Sequence, residues 1–163
     1  MSEESMTMQP VEAHEKINPF VGTFRAVVKF WMEGQCFEST GTMVNHWILG
    51  GRYLAQDYQG DQQDGPFPEF QGRGYWGFNT MTNQYEGLWI DNASTMMQME
   101  KGDVDGDGKV WTMMGEMESP QGKTQKESII TLISDDEHKM EMFFLFPGKE
   151  KVKTMEIHYT RSK

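Results

Sequence analysis

Phe70-QGRGYWGFNTMTNQYEGLWI-Asp91 is the stretch whose reading decides the fold. Two ring-rich runs flank the polar segment Asn79 to Asn83, which is the pattern of a β-hairpin. Pairing Phe78 with Tyr85 sets Trp76 against Gly87, Gly74 against Trp89 and Gly72 against Asp91, so large rings meet glycines. The same register gathers Phe70, Trp76, Phe78, Tyr85 and Trp89 on one face. Gln71, Arg73, Gln84 and Glu86 take the other, as expected of a sheet buried on one side only.

Working outward from this hairpin, runs rich in Val, Thr, Ile, Tyr, Phe and Trp alternate with turn residues along the chain from Gly22. Ten strands are expected, at roughly 22–33, 36–48, 52–59, 69–78, 84–92, 94–101, 109–117, 123–134, 139–146 and 152–161. Glu33-Gly34, Gly50-Gly51, Asp105-Gly106-Asp107-Gly108, Pro120-Gln121-Gly122 and Pro147-Gly148 supply the turn chemistry. An open sheet of hairpin-linked strands would leave two unpaired edges, so the expected fold is all-β, an up-and-down antiparallel barrel of about ten strands, with a two-sheet sandwich as the alternative. Pro10 to Ile17 can form a short helix ahead of it. Residues 1–9 read as a disordered tail and 10–163 as one barrel domain. Gln59 to Pro68 is the single long connection and reads as a mobile surface loop. In the last strand, alternation turns Met155, Ile157 and Tyr159 inward and His158 outward.

The chain has 163 residues, with 25 acidic against 15 basic side chains and a formal charge of -10. That balance opposes binding to a phosphate backbone or to an anionic leaflet. No apolar run approaches the roughly 20 residues of a membrane-spanning helix, so no membrane role is expected. MSEESMTMQP lacks the basic start and apolar stretch of a secretory signal, and a cytoplasmic location is expected. Cys36 is alone and reads as a structural thiol.

Few segments carry recognisable chemistry. Asp91 falls on the aromatic face, where a carboxylate must be paired, protonated or beside a wet cavity. Asp103 to Gly108 imitates the start of a calcium loop but has Met114 where the bidentate Glu belongs, so it reads as a solvated hairpin turn. Fifteen methionines read as soft filling of a core or pocket instead of copper ligands. His14, His46, His138 and His158 show no metal-ligand spacing and read as surface or cap histidines, the facing of His46 being undecided by parity. The glycines of Gly72-Arg73-Gly74-Tyr75-Trp76-Gly77 make room for rings and do not open a dinucleotide site, since no helix follows.

Several segments together resemble the bacterial domain-of-unknown-function 1579 family. They are His14 with Gly22-Thr-Phe24, Ile48-Leu-Gly-Gly-Arg52-Tyr-Leu54, Gly74-Tyr-Trp-Gly-Phe78, Leu88-Trp-Ile-Asp91 and Met155-Glu-Ile-His-Tyr-Thr-Arg161. The resemblance covers about residues 14 to 161. It implies a lipocalin-like or calycin-like barrel with a small N-terminal helix, and no established activity. This chain has Phe24 where members usually carry Trp. The pattern carried over marks Gly50, Gly51, Arg52, Trp89, Asp91, Glu156, Tyr159 and Arg161 for inspection.

The functional expectation is a barrel holding a small, largely apolar ligand. Trp76, Tyr85, Trp89, Met97, Met99 and Tyr159 would line the cavity, with Asp91 or Arg52 orienting the ligand. The alternatives are an enzyme of hydrolase, isomerase or cyclase type using Asp91, a haem-binding barrel, and a purely structural module. Against haem stands the outward parity of His158. No catalytic residue, metal ligand or cofactor is assigned, and the oligomeric state is left open.

Overall fold

The structure is a computed structural model and describes residues 8–163. Ten antiparallel strands close into a barrel, each paired to its neighbours in sequence, with the first strand sealing against the last. They are β1 (Gly22–Met32), β2 (Gln35–Ile48), β3 (Tyr53–Gly60), β4 (Gln71–Asn79), β5 (Gln84–Asp91), β6 (Gln98–Val104), β7 (Val110–Ser119), β8 (Gly122–Ser134), β9 (Glu137–Leu145) and β10 (Val152–Arg161). Closure leaves no unpaired edge, which an open sheet of this length would have exposed. The expectation of a disordered tail falls mainly on residues 1–7, outside the described residues. No described helix is long and apolar enough to cross a membrane.

The β4–β5 register is the one read from the sequence: Phe78 opposite Tyr85, Trp76 opposite Gly87, Gly74 opposite Trp89 and Gly72 opposite Asp91. A Cβ at position 72 would overlap the Trp89 ring, and one at position 74 would sit 2.8 Å from it. Glycine there is what lets the indole lie against the β4 backbone. β6 begins later than the sequence suggests, at Gln98 instead of 94.

One end of the barrel is closed by α1 (Glu12–Glu15) and a 3₁₀ turn over Asn18–Phe20. Four hydrogen bonds hold this plug. The Tyr85 hydroxyl donates to Ala13 O at 2.7 Å, Trp47 Nε1 to Asn18 Oδ1 at 2.8 Å, Asn45 Nδ2 to Phe20 O at 2.8 Å and Arg161 Nη2 to Pro19 O at 2.9 Å. Phe20 then drops its ring into the barrel, edge-on to Trp76, Trp111 and His138 with centroids 5.1, 5.2 and 4.7 Å away. Ile17, Phe20, Leu54, Tyr85, Trp111 and Met113 make this floor a packed hydrophobic cluster. Burying such rings is the main favourable term for a plug too short to be stable alone.

The opposite end is crossed by the connection between β3 and β4. Its start is fixed by Asp61, whose carboxylate accepts from Arg25 and from the Thr40 hydroxyl. These bonds lower the Asp61 pKa to about 2. Phe67 of this connection packs near Phe30 and Phe70, with centroids 6.0 and 6.4 Å apart. The segment expected to be a mobile surface loop thus reaches the mouth, where Gln63 and Phe67 line the cavity.

Candidate functional site: the barrel lumen

Between floor and mouth lies a cavity of about 320 Å³. Its wall is built by the two-residue alternation of the strands. Phe30 and Met43 come from β1 and β2, Trp76 and Trp89 from β4 and β5, Met140, Met142, Met155, Ile157 and Tyr159 from β9 and β10. The lining is mostly ring and thioether, the composition that accommodates apolar molecules of varied shape.

Of the residues expected around the ligand, Trp76, Trp89, Asp91 and Tyr159 are at the cavity. The others are not. Tyr85 points inward but is consumed by the floor, where its hydroxyl holds Ala13. Arg52 lies at the closed end outside the lumen, donating to Met8 O and Leu49 O. Met97 and Met99 are 77% and 61% exposed. Met97 lies ahead of β6, and the register of that strand accounts for Met99: Gly102 pairs with Tyr85 and Glu100 with Gly87, so Gln98, Glu100 and Gly102 face inward and Met99 outward.

Trp89 and Asp91 form a unit at the mouth. The indole Nε1 donates to Asp91 Oδ2 at 2.8 Å, and Asp91 Oδ1 accepts from the Ala93 backbone N–H at 3.0 Å. Asp91 thus anchors the ring that lies over Gly72 and Gly74 and also caps the turn after β5. The carboxylate on the aromatic face is paired, one of the outcomes the sequence left open.

The lumen also holds polar groups that the sequence reading passed over. Lys126 from β8 reaches Glu100 from β6 across the intervening strand, with Nζ 2.7 Å from Glu100 Oε1, the two side chains being 8% and 15% exposed. Lys126 also donates to Gln98 Oε1 at 2.8 Å, and the Ser128 hydroxyl to Glu100 Oε1 at 2.8 Å. Gly115 makes the reach possible: it pairs with Lys126 in β7–β8, and a Cβ there would meet Glu100 Cγ at 3.2 Å. Parity over Thr124, Lys126, Ser128 and Ile130 was the available signal. It was obscured because a charged pair breaks the apolar-inside pattern on which parity reading depends.

His138 is a second correction. Read as a surface or cap residue, it is 5% exposed and lines the cavity, alternating with Met140 and Met142 along β9. Its ring stacks on Tyr159 with centroids 4.6 Å apart and meets Phe24 edge-on at 4.6 Å. Desolvation, aided by the charges of Arg161 and His158, lowers its pKa to about 3, so the imidazole is neutral at ordinary pH. Burial likewise raises Tyr58 to about 12 and Tyr159 higher still. His14 fits the cap reading, its Nδ1 accepting from the Val11 backbone N–H at 3.0 Å. His46 is exposed, and His158 faces outward as parity required, 2.6 Å from Glu137. Cys36, expected to be structural, is exposed. Asp105 organises its turn by accepting from the Lys109 and Val110 N–H groups, in keeping with a hairpin turn.

A closed antiparallel barrel with a plugged floor and a lined lumen defines a lipocalin-like barrel protein. The chain belongs to the family described as protein of unknown function (DUF1579), whose model matches residues 9–161. No curated relative matches it. Among solved structures it is similar to Rv2717c from M. tuberculosis, at 14% identity with a TM-score of 0.66, covering 94% of this chain and 99% of that one. It is also similar to the S-type phycobiliprotein lyase CPES from Guillardia theta, at 12% identity with a TM-score of 0.63, covering 100% and 99%. At such identities the likeness concerns the fold.

Proposed function

We propose that this protein binds a small, largely apolar molecule inside the barrel. The observation that carries the reading is the lumen itself: about 320 Å³ of space, lined mainly by rings and methionines, that the side chains leave unfilled. Cores of comparable proteins pack closely, and a space of this size falls in the range of small-molecule sites, roughly 300–1,000 Å³. The Phe20 floor stops a ligand from passing through, while Phe67 and the Trp89–Asp91 unit frame the entrance. Asp91 is occupied in holding Trp89, an arrangement that favours a binding role over acid or base chemistry.

Gly87 provides the test. It lines the cavity beside Trp76 and Glu100, and a Cβ there would find only Tyr75 O, at 4.0 Å. Gly87→Leu therefore puts a side chain into the lumen without backbone conflict. Titration with N-phenyl-1-naphthylamine, an uncharged apolar fluorophore, is expected to give saturable binding that weakens about tenfold in Gly87→Leu, a difference of about 1.4 kcal/mol. Equal affinity in wild type and a folded Gly87→Leu variant would place the probe outside the lumen and overturn the reading.

A further inference from the structure

Around the floor of the lumen, three cavity-lining side chains, each more than nine-tenths buried, carry polar atoms without a hydrogen-bond partner in the protein: Asn45 Oδ1, Trp76 Nε1 and His138 Nδ1. Buried polar atoms are almost always paired, and an exception in a cavity marks where something polar is received. Each is held in place by its other contacts. Asn45 is oriented by its Nδ2 bond to Phe20 O, Trp76 by the edge of Phe20 and His138 by the Tyr159 stack. These contacts fix the side chains and leave the three atoms closed over by their neighbours, so a head group reaches them only by displacing an adjoining ring.

We infer that the lumen is built for an uncharged amphiphile, a molecule with an apolar body and a hydroxyl or carbonyl head, seated head-down on the Phe20 floor. This rests on the binding function proposed above and specifies its ligand class. Four features select a neutral head. The groups waiting at the floor are an amide oxygen, an indole N–H and an imidazole that stays neutral, a set with donor and acceptor capacity and no formal charge. The lumen's cation, Lys126, is already matched by Glu100, so a carboxylate head would find no free positive partner. Asp91 at the entrance adds negative charge, which disfavours an anion further. A cationic head would lose its hydration at a floor where, among the described residues, no carboxylate is placed to receive it. A body of rings or methylenes then extends past Ile157, Met140 and Met155 toward the mouth.

The experiment is competition of 1-decanol, decanoate and decylamine against N-phenyl-1-naphthylamine, followed by the same titrations on Trp76→Phe and His138→Phe. Wild type is expected to bind 1-decanol at least tenfold more tightly than either ion. Both variants keep a ring at their position and remove an unpartnered polar atom, and each is expected to weaken 1-decanol about fivefold more than it weakens the fluorophore, which serves as the reference for changes in the wall itself. Preference for decanoate or decylamine overturns the neutral-head inference and leaves the lumen reading standing, as does equal binding of all three. Retention of full 1-decanol affinity in both folded variants overturns the placement of the head at the floor. Failure of every compound, the fluorophore included, overturns the binding function itself. Two variants at separate points of the floor keep the test decisive should one of them not fold.

Discussion

Lys126 and Glu100 face each other inside a barrel whose other inward residues are mostly apolar, and such a pair is not a source of stability merely because it is paired. Withdrawing two charges from water costs several kcal/mol per ion, which attraction, the bond Lys126 donates to Gln98 and the bond Glu100 accepts from Ser128 offset. What the pair does enforce is mutual dependence. Glu100→Gln leaves the Lys126 ammonium buried against a neutral amide, and a loss of about 3 kcal/mol in unfolding free energy is expected from urea denaturation. The double replacement Glu100→Leu with Lys126→Met removes both charges and keeps the volume, and is expected to recover most of that loss. A double variant as unstable as the single one would mean that packing around Gly115, and not charge, governs this wall.

At the scale of elements, Arg161 joins the two ends of the chain. From the end of β10 its guanidinium donates to Val21 O at 2.6 Å, Pro19 O at 2.9 Å and Asp135 O at 2.7 Å, and it lies over the Phe24 ring at 4.6 Å. A planar fork with several donors makes these bonds together, whereas an ammonium at the same place reaches fewer of them. Arg161→Lys is expected to cost about 2 kcal/mol and to speed amide exchange in residues 17–24 more than elsewhere. Uniform acceleration over the barrel would show that the arginine supports the whole sheet instead of the plug. Legibility in the sequence divides along the same lines. The β4–β5 register could be read because Gly72 and Gly74 match Trp89 residue for residue, and β10 because Met155, Ile157 and Tyr159 alternate cleanly. β6 could not. Met97 and Met99 look like a strand's apolar face, yet Met97 lies ahead of the strand and pairing with β5 turns Met99 outward and Glu100 inward. Arg52 was placed by resemblance alone, which carries no facing. His138 is flanked by Glu137 and Lys139, so its neighbours suggested solvent while ring packing with Phe20, Phe24 and Tyr159 decided its position.

For the molecule as a whole, the neutral His138 makes stability depend on pH in a defined window. In the unfolded chain its pKa is near the ordinary 6.5, and in the barrel it is about 3, lowered chiefly by desolvation. Between these values the unfolded chain binds a proton that the folded one refuses, so stability is complete above about pH 6.5 and falls as pH drops toward 3. Each unit inside the window is worth about 1.4 kcal/mol. His14, also lowered mainly by burial, acts in the same direction. The carboxylates held below their ordinary values, Asp61 by Arg25 and Glu141 by Lys153, lose their contribution only at lower pH, from around their unperturbed values of 3.8 and 4.5 downward. A comparison of pH 6.5 with pH 5 therefore isolates the histidines. Over that interval wild type is expected to lose about 2 kcal/mol more than His138→Phe, measured as the difference in urea unfolding free energy. Phe keeps the contacts with Tyr159, Phe20 and Phe24, so a variant that tracks wild type through the interval would assign the acid sensitivity to His14 at the plug instead of to the lumen wall.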